Sequence, residues 1–241
     1  MLSNQTIEKL HQLKLKGMLD AYERLSDTAQ LAELKINDVI GLLCDSELTE
    51  RRNKRLTRLL AMAKLRYPQA LVEDINFEHK RAINPAQWQE LISTKWLMEH
   101  QNILLIGATG IGKTYLACAC GQLACRNNYT TRYYRLSKLL EAIRIAKADG
   151  SYSRVLGALL KVDCLIIDDW GIDPIEGALR ADLLEIIDDR YDQRSVIIAA
   201  QLPVEHWHEY IGDHTIADAM LDRIVHQSMI LNLQGGSLRK K

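Results

Sequence analysis

The sequence has no long uninterrupted run of apolar residues. Its longest runs, such as Ile103 to Ile106 and Leu165 to Ile167, have the length of β-strands, whereas a transmembrane helix needs roughly 18 residues. The start of the chain also lacks a signal peptide, because charged residues such as Glu8 and Lys9 fall in its first turns and no small-residue cleavage site follows. We therefore expect no membrane span and a cytoplasmic protein.

Cysteine is sparse and forms no recognisable framework. The five cysteines are odd in number, irregularly spaced and mostly inside apolar segments, which does not suit a set of disulfides. Cys118, Cys120 and Cys125 come closest to a metal-binding group, but residues two apart on a helix point to different faces. We interpret the cysteines as small hydrophobic residues of the core.

Net charge is absent as well, since 31 basic residues balance 31 acidic ones. The balance hides an uneven distribution along the chain. Residues 126–161 contain eight Lys or Arg and two acids, whereas residues 162–241 contain seven Lys or Arg and fifteen acids. A length of 241 residues with 47% apolar content allows one α/β domain and a smaller one.

No proline interrupts the chain before Pro68, and apolar residues up to that point recur near the helical period of 3.6. Residues 1–67 are therefore predicted to form a small all-helical N-terminal domain. Residues 68–95 contain Pro68 and Pro85 and show weak periodicity, which indicates a connector. Residues 96–241 remain for the second domain.

One stretch of the helical domain is strongly basic, with an apolar stripe on its other side. Its seven cations, with no acid among them, are Arg51, Arg52, Lys54, Arg55, Arg58, Lys64 and Arg66. Such a run is often a plain solvated helix face or a protein-docking surface. Because like charges repel one another unless phosphates neutralise them, we predict contacts with duplex DNA that are largely independent of base sequence. Tyr67 and a second basic stretch, at 126–147, are candidates to extend that surface.

From Asn102 onward short apolar runs alternate with helical stretches, which is typical of a parallel sheet built from βαβ units. The predicted strands lie at 102–106, 131–135, 163–168, 195–200 and 229–233. The fold class is therefore α/β, with a five-stranded and mostly parallel sheet.

The strongest motif directly follows the first predicted strand. Residues 107–114 read GATGIGKT, which matches the phosphate-binding pattern G-x-x-x-x-G-K-[ST]. Its glycines let backbone N–H groups face phosphate oxygens, Lys113 reaches the β- and γ-phosphates, and Thr114 offers a hydroxyl to Mg²⁺. We assign ATP binding to Gly107, Ala108, Thr109, Gly110, Ile111, Gly112, Lys113, Thr114 and Tyr115.

A second motif is the apolar strand that ends in Asp168 and Asp169. After a phosphate-binding loop, such a pair is expected to act as a Walker B element. Asp168 would hold Mg²⁺ together with Thr114, and Asp169 would orient and activate the attacking water. The alternative is that both acids only cap the next turn.

Two further residues are ambiguous from spacing alone. Gln201 follows the strand at 195–200, where it would bond the γ-phosphate or the attacking water, or simply start the turn at Pro203. Arg223 lies on a predicted helix, where a surface ion pair with Asp222 or Asp218 is the simple alternative to a functional role.

Several stretches together resemble the IstB family, the helper ATPases of two-gene insertion sequences, and more distantly the DnaC-type helicase loaders. The matching stretches are 51–69, the loop at 107–114, Tyr133 to Leu136, Asp168 to Gly171, Ser195 to Trp207, Asp218 to His226 and Gly236 to Arg239. They span nearly the whole chain, and taken jointly they are highly specific.

The resemblance implies a P-loop NTPase of the AAA+ type that binds ATP and Mg²⁺, forms a homo-oligomer on DNA and marks target DNA for a cognate transposase. It implies that Gln201 is a sensor, that Arg223 is an arginine finger offered to a neighbouring subunit, and that Arg239 is a second sensor. Two features depart from the pattern. Many AAA+ proteins have Glu in place of Asp169, which predicts slow basal hydrolysis here, and the end at Lys241 leaves no room for a C-terminal helical lid.

Two other functions stay open at this point. A helicase loader acting in replication would share the same ATPase core and differ in its N-terminal domain. A small-molecule P-loop kinase would be a monomer with a pocket for the phosphate acceptor.

Overall fold

The structure, a computed structural model, describes residues 2–27, 34–75 and 83–236. It divides into two compact units, Met1–Arg58 and Leu59–Lys241. The first unit therefore ends before residue 67, where the sequence suggested a domain boundary. None of the helices in the described ranges combines the length and the apolar character that a membrane crossing requires.

The first unit is built from α1 (Leu2–Gln12), α2 (Lys16–Asp27) and the greater part of α3 (Ile36–Ala63). Glu47 of α3 fixes the start of α2, because its carboxylate accepts hydrogen bonds from the backbone N–H groups of Gly17 and Met18. A side chain at Gly17 would clash, since an added Cβ would lie 2.5 Å from the carbonyl oxygen of Ser46. Helix α3 continues past Arg58 without a break.

Residues 68–95 are a packed part of the second unit where the structure describes them, and not the connector suggested by their prolines. They contain a 3₁₀ turn at Val72–Asp74, α4 (Pro85–Ile92) and the start of α5 (Lys95–Met98). Pro85 begins α4 at a position where no N–H is needed, and the Asn84 side chain caps that helix by accepting from Ala86. Proline here is a start signal for a helix. Leu91 and Ala70 are fully buried.

The sheet confirms the predicted α/β class. Its strands are β1 (Asn102–Ile106), β2 (Thr131–Arg135), β3 (Cys164–Trp170), β4 (Ser195–Ala200) and β5 (Ser228–Asn232). All its pairs are parallel, in the order β2-β3-β4-β1-β5. The central strands β1 and β4 are buried along their whole length, as expected for a parallel sheet covered on both faces.

Helices cover the two faces of this sheet. They are α6 (Lys113–Arg126), α7 (Leu136–Ala148), α8 (Tyr152–Lys161), α9 (Gly177–Arg190), α10 (Trp207–Ile211) and α11 (His214–Val225). Helix α6 is the most enclosed, and Cys118, Cys120 and Cys125 on it are buried, as is Cys164 on β3. Four of the five cysteines are thus core residues, as the sequence predicted.

Candidate nucleotide-binding site

The strand order brings the predicted site residues to one edge of the sheet. Strands β3, β4 and β1 are neighbours and run parallel, so the segments after their C-terminal ends meet. Ligands of open α/β sheets bind at this edge. The phosphate-binding loop follows β1, the two aspartates lie near the end of β3, and Gln201 follows β4.

The loop between β1 and α6 needs its glycines. Gly110 and Gly112 have positive φ angles of 83° and 101°, which side-chain-bearing residues rarely adopt. A Cβ on Gly107 would lie 2.5 Å from the backbone oxygen of Leu233. The turn leads into the first turn of α6, whose free N–H groups and dipole favour a bound anion.

Lys113 is the first residue of α6 and folds back over the loop. Its Nζ donates to the carbonyl oxygens of Gly107, at 2.6 Å, and Ala108, at 2.9 Å. The ammonium group is therefore held by carbonyl oxygens of the loop, and Lys113 lines the cleft next to it.

Thr114 and Asp168 form the candidate magnesium site. The Thr114 hydroxyl lies 3.1 Å from Oδ1 of Asp168, and Asp168 is almost fully buried. A hydroxyl and a carboxylate are hard oxygen ligands of the kind Mg²⁺ prefers, and nucleotide-bound Mg²⁺ takes only one or two carboxylates from the protein. The described residues include no group of three or more His, Cys, Asp or Glu placed to hold a metal by themselves. The residues present therefore fit Mg²⁺ bound together with a nucleotide.

Asp169 is held in an unusual backbone conformation beside Asp168. Its φ of 62° is left-handed, and the pairing of β3 with β4 is shifted between Ile167 and Trp170. Burial and the negative charge of Asp168 raise the pKa of Asp169, while the cations Arg135, Arg66 and Lys113 act in the opposite direction. A carboxylate with a raised pKa at the edge of a cleft has the properties of a general base.

Gln201 contacts the phosphate-binding loop directly. Its Oε1 accepts a hydrogen bond of 2.6 Å from the hydroxyl of Thr109. Gln201 also lines a cleft of about 280 Å³ that contains the loop, Lys113 and both aspartates. The structure thus brings together the residues predicted for phosphate, metal and water.

Two aromatic residues close the cleft at another side. The rings of Tyr67 and Tyr115 lie 6.0 Å apart, and both residues line the cleft. The sequence assigned Tyr115 to nucleotide binding but offered Tyr67 only as an extension of a DNA-binding surface. Tyr67 follows a helix and precedes Pro68, and no short-range signal connects it with a loop some forty residues later.

Arg223 lies far from this cleft. It is near the end of α11, and its carbonyl oxygen accepts a hydrogen bond from the side chain of Asn102, the first residue of β1. Its guanidinium pairs with Asp188 of α9. The sequence suggested an ion pair with Asp222 or Asp218, but the partner in the structure is Asp188. Arg239 lies outside the described residues.

The basic run is less isolated than its sequence suggested. Arg51 pairs with Glu47 at 2.7 Å and Lys54 with Glu50 at 3.3 Å, because acids one helical turn earlier face these cations. Arg66 lies next to Asp168. The side chains of Arg52, Arg55, Arg58 and Lys64 are exposed to solvent.

The second basic stretch forms several ion pairs with acids of its own unit. Arg126 pairs with Glu73, Lys138 with Glu141 and Lys147 with Asp182. With the pair of Arg135 and Asp169, four of the six cations of this stretch are paired. The extension of the basic surface into this stretch stays a prediction.

Comparisons with known proteins indicate a family of ATP-binding proteins. The sequence profile of the family described as IstB-like ATP binding protein matches residues 8–241. The chain is 41% identical over 240 residues to the insertion sequence ATP-binding protein y4pL of Sinorhizobium fredii (strain NBRC 101917 / NGR234), covering 100% of this chain and 98% of that relative. It is 45% identical over 203 residues to the ATP-binding protein of insertion sequence IS1162 from Pseudomonas fluorescens, covering 84% of this chain and 88% of that relative.

Solved structures share the fold at lower identity. The DnaC helicase loader has a TM-score of 0.58 and 17% identity, over 70% of this chain and 99% of that one. AMPPCP-bound DnaA from Aquifex aeolicus has a TM-score of 0.56 and 18% identity, over 69% of this chain and 50% of that one. These likenesses concern the fold, which is that of an AAA+ P-loop protein.

Proposed function

This chain belongs to the IstB-like ATP binding protein family, and we propose that it is a magnesium-dependent ATPase of an insertion sequence that assembles on duplex DNA and recruits or activates a transposase. One observation carries the enzymatic part of this proposal. The loop with Lys113, the pair Asp168 and Asp169, and Gln201 come from three separate strands and line one cleft. Relatives named for insertion sequences support the biological setting.

The chemistry proposed for this cleft is hydrolysis of the bond between the β- and γ-phosphates. Lys113 and the loop N–H groups bind the phosphate oxygens and fix the γ-phosphate in place. Mg²⁺ between Thr114 and Asp168 would supply positive charge that offsets the charge on these oxygens. Asp169 accepts a proton from water as the water oxygen attacks phosphorus, and Gln201 orients that water. The leaving group is ADP.

The DNA-binding part rests on the exposed cations of α3. Arg52, Arg55 and Arg58 recur every three residues and therefore follow one side of the helix. They are exposed, as contacts with phosphates would require. Phosphate contacts of this kind bind DNA of any sequence and weaken with added salt.

The oligomeric part rests on the position of Arg223. The five residues of β1 separate it from the phosphate-binding loop, a distance of about 16 Å at roughly 3.3 Å per residue. An arginine side chain does not span that distance. If Arg223 stabilises a γ-phosphate, the nucleotide belongs to another subunit.

A helicase loader is the second candidate, because the DnaC helicase loader shares the fold over 99% of its solved chain. Both functions use the same ATPase core and differ in the protein that is recruited. Parallel pull-downs with a transposase from the same insertion sequence and with a replicative helicase separate them. A small-molecule kinase would instead transfer phosphate rapidly to a metabolite and would be a monomer.

Size analysis tests the proposal most directly. The protein is measured with ATP, with ADP and without nucleotide, each with and without duplex DNA of unrelated sequences. We expect a larger assembly only with ATP, and DNA of any sequence in that assembly. Lys113→Ala is the matched control. A protein that stays monomeric with ATP and DNA contradicts the assembly proposal.

A further inference from the structure

The segment after α3 is packed directly on the phosphate-loop helix α6. Helix α3 ends at Ala63, and Lys64 takes a left-handed φ of 50°, which turns the chain at the helix end. Leu65 is then buried, and its side chain lies so close to Gly121 of α6 that an added Cβ there would be 3.0 Å away. The segment that follows α3 is therefore anchored on α6.

This packing places Arg66 beside the candidate magnesium ligand. Nη1 of Arg66 lies 4.0 Å from Oδ2 of Asp168, and the Arg66 side chain remains about one-third exposed, at 32%. The hydroxyl of Tyr133 donates to the same oxygen at 2.7 Å. The other oxygen, Oδ1, is the one that faces Thr114.

Tyr133 and Arg66 act differently on this carboxylate. The short hydrogen bond from Tyr133 fixes the orientation of Asp168 and keeps Oδ1 toward Thr114. Arg66 is too distant for a good hydrogen bond, so its main effect on Asp168 is its charge. A cation beside the carboxylate opposes the binding of a second cation to it.

We propose that Arg66 exchanges partners, pairing with Asp168 in the absence of DNA and with a DNA phosphate when α3 binds duplex DNA. DNA binding then removes a competing cation from the magnesium site. This inference rests on the proposed binding of DNA by α3. Arg66 follows Arg58 and Lys64 in the sequence, and a partly exposed ion pair at 4.0 Å is weak enough to be replaced.

Metal binding tests this proposal without relying on turnover. Mn²⁺ replaces Mg²⁺, and its binding to the protein loaded with a non-hydrolysable ATP analogue is followed by electron paramagnetic resonance, with and without duplex DNA. In the wild type we expect DNA to tighten Mn²⁺ binding several-fold. Arg66→Gln, which keeps a hydrogen-bonding side chain but no charge, should bind Mn²⁺ tightly without DNA and gain nothing from it. Arg66→Lys should behave as the wild type.

A third variant tests the orientation of Asp168, and because Tyr133 also hydrogen-bonds Arg66, it is compared with Arg66→Gln. Tyr133→Phe should weaken Mn²⁺ binding about 10-fold, because outer partners of metal ligands typically contribute that much, and it should keep the response to DNA. Nucleotide affinity without metal and the melting temperature show whether each variant is folded.

The proposal is overturned if Arg66→Gln binds Mn²⁺ as weakly as the wild type, or if DNA still tightens Mn²⁺ binding in that variant. If the wild type binds no DNA at all, the proposed DNA function fails, while the comparison of wild type with Arg66→Gln still tests the competition at Asp168.

Discussion

The side chain of Arg135 lies against that of Asp169, with 3.5 Å between Nε and Oδ2. Arg135 is the last residue of β2, and its Cα is paired with that of Asp168 across the neighbouring strand β3. Asp169 has a left-handed φ, and its carboxylate lies beside the Arg135 side chain. The candidate base thus has a cationic partner from the edge strand of the sheet.

Arg135 predicts a shift in the pH dependence of turnover. Burial and the charge of Asp168 raise the pKa of Asp169, and Arg135 lowers it. Arg135→Ala removes the lowering effect, so the pKa of Asp169 rises further. A base works only when deprotonated, so the acidic limb of kcat at saturating Mg²⁺ and ATP should move to higher pH. Arg135→Lys keeps the charge and is the control. If the acidic limb of kcat in the alanine variant stays at the wild-type pH, Asp169 is not the titrating base.

Lys113→Ala should abolish ATP binding and ATP-dependent assembly. Its ammonium is the main positive charge at the β- and γ-phosphates, and in the structure it already lies over the loop carbonyls. Lys161→Ala, at an exposed residue of α8, is the matched control and should behave as the wild type. Fluorescent ATP analogues measure the affinity. Equal affinity in both variants would refute the assignment of the loop.

Asp169→Asn should separate binding from turnover. The amide cannot take a proton from water, so hydrolysis should stop while ATP binding, assembly and DNA binding persist. Single-turnover assays and size analysis measure the two sides of this prediction. Rapid hydrolysis by the variant would place the base elsewhere.

Local patterns in the sequence were enough to predict the sheet and the cleft. Strand β1 and the loop after it form a continuous local signal, because an apolar run, glycines and Lys113 occur in direct succession. Asp168 and Asp169 end an equally clear apolar strand. A parallel sheet then forces these segments to the same edge, so their meeting follows from topology.

Non-local pairs could not be predicted in the same way. Arg66 and Asp168 are separated by about a hundred residues, and nothing in either segment specifies the other. The pair of Arg51 with Glu47 is different, because the spacing of four residues on a helix is a local signal in the sequence. Glu47 and Glu50 come just before the basic run begins at residue 51, so the charge of the run alone does not reveal that these acids neutralise part of it.

Reversal of three exposed cations tests DNA binding by α3. Arg52, Arg55 and Arg58 changed to Glu should weaken binding to all duplex sequences alike. The salt dependence of binding should also flatten, by up to roughly 0.9 in log–log slope for each DNA phosphate that the variant no longer neutralises. Basal ATPase should survive. Reversing Lys9, Lys14 and Lys16, which are exposed in the same unit, changes net charge equally and is the control. If both triple variants bind DNA with the same reduced affinity, the effect is one of net charge and not of a binding face on α3.

Arg223 is predicted to act on ATP held by a neighbouring subunit, and mixing two inactive variants tests this. An arginine finger is worth roughly 10³ to 10⁵ in rate, so Arg223→Ala should bind ATP and hydrolyse it very poorly. Asp169→Asn should be equally inactive. In a mixture, some interfaces join an intact Asp169 with an intact Arg223, and those interfaces should regain turnover. Asp188→Asn distinguishes a structural role, because Asp188 is the partner of Arg223 within its own chain. Exchange of subunits in the mixture is checked first. If activity then does not return, and Asp188→Asn lowers the melting temperature as much as Arg223→Ala does, Arg223 serves only to join α11 to α9.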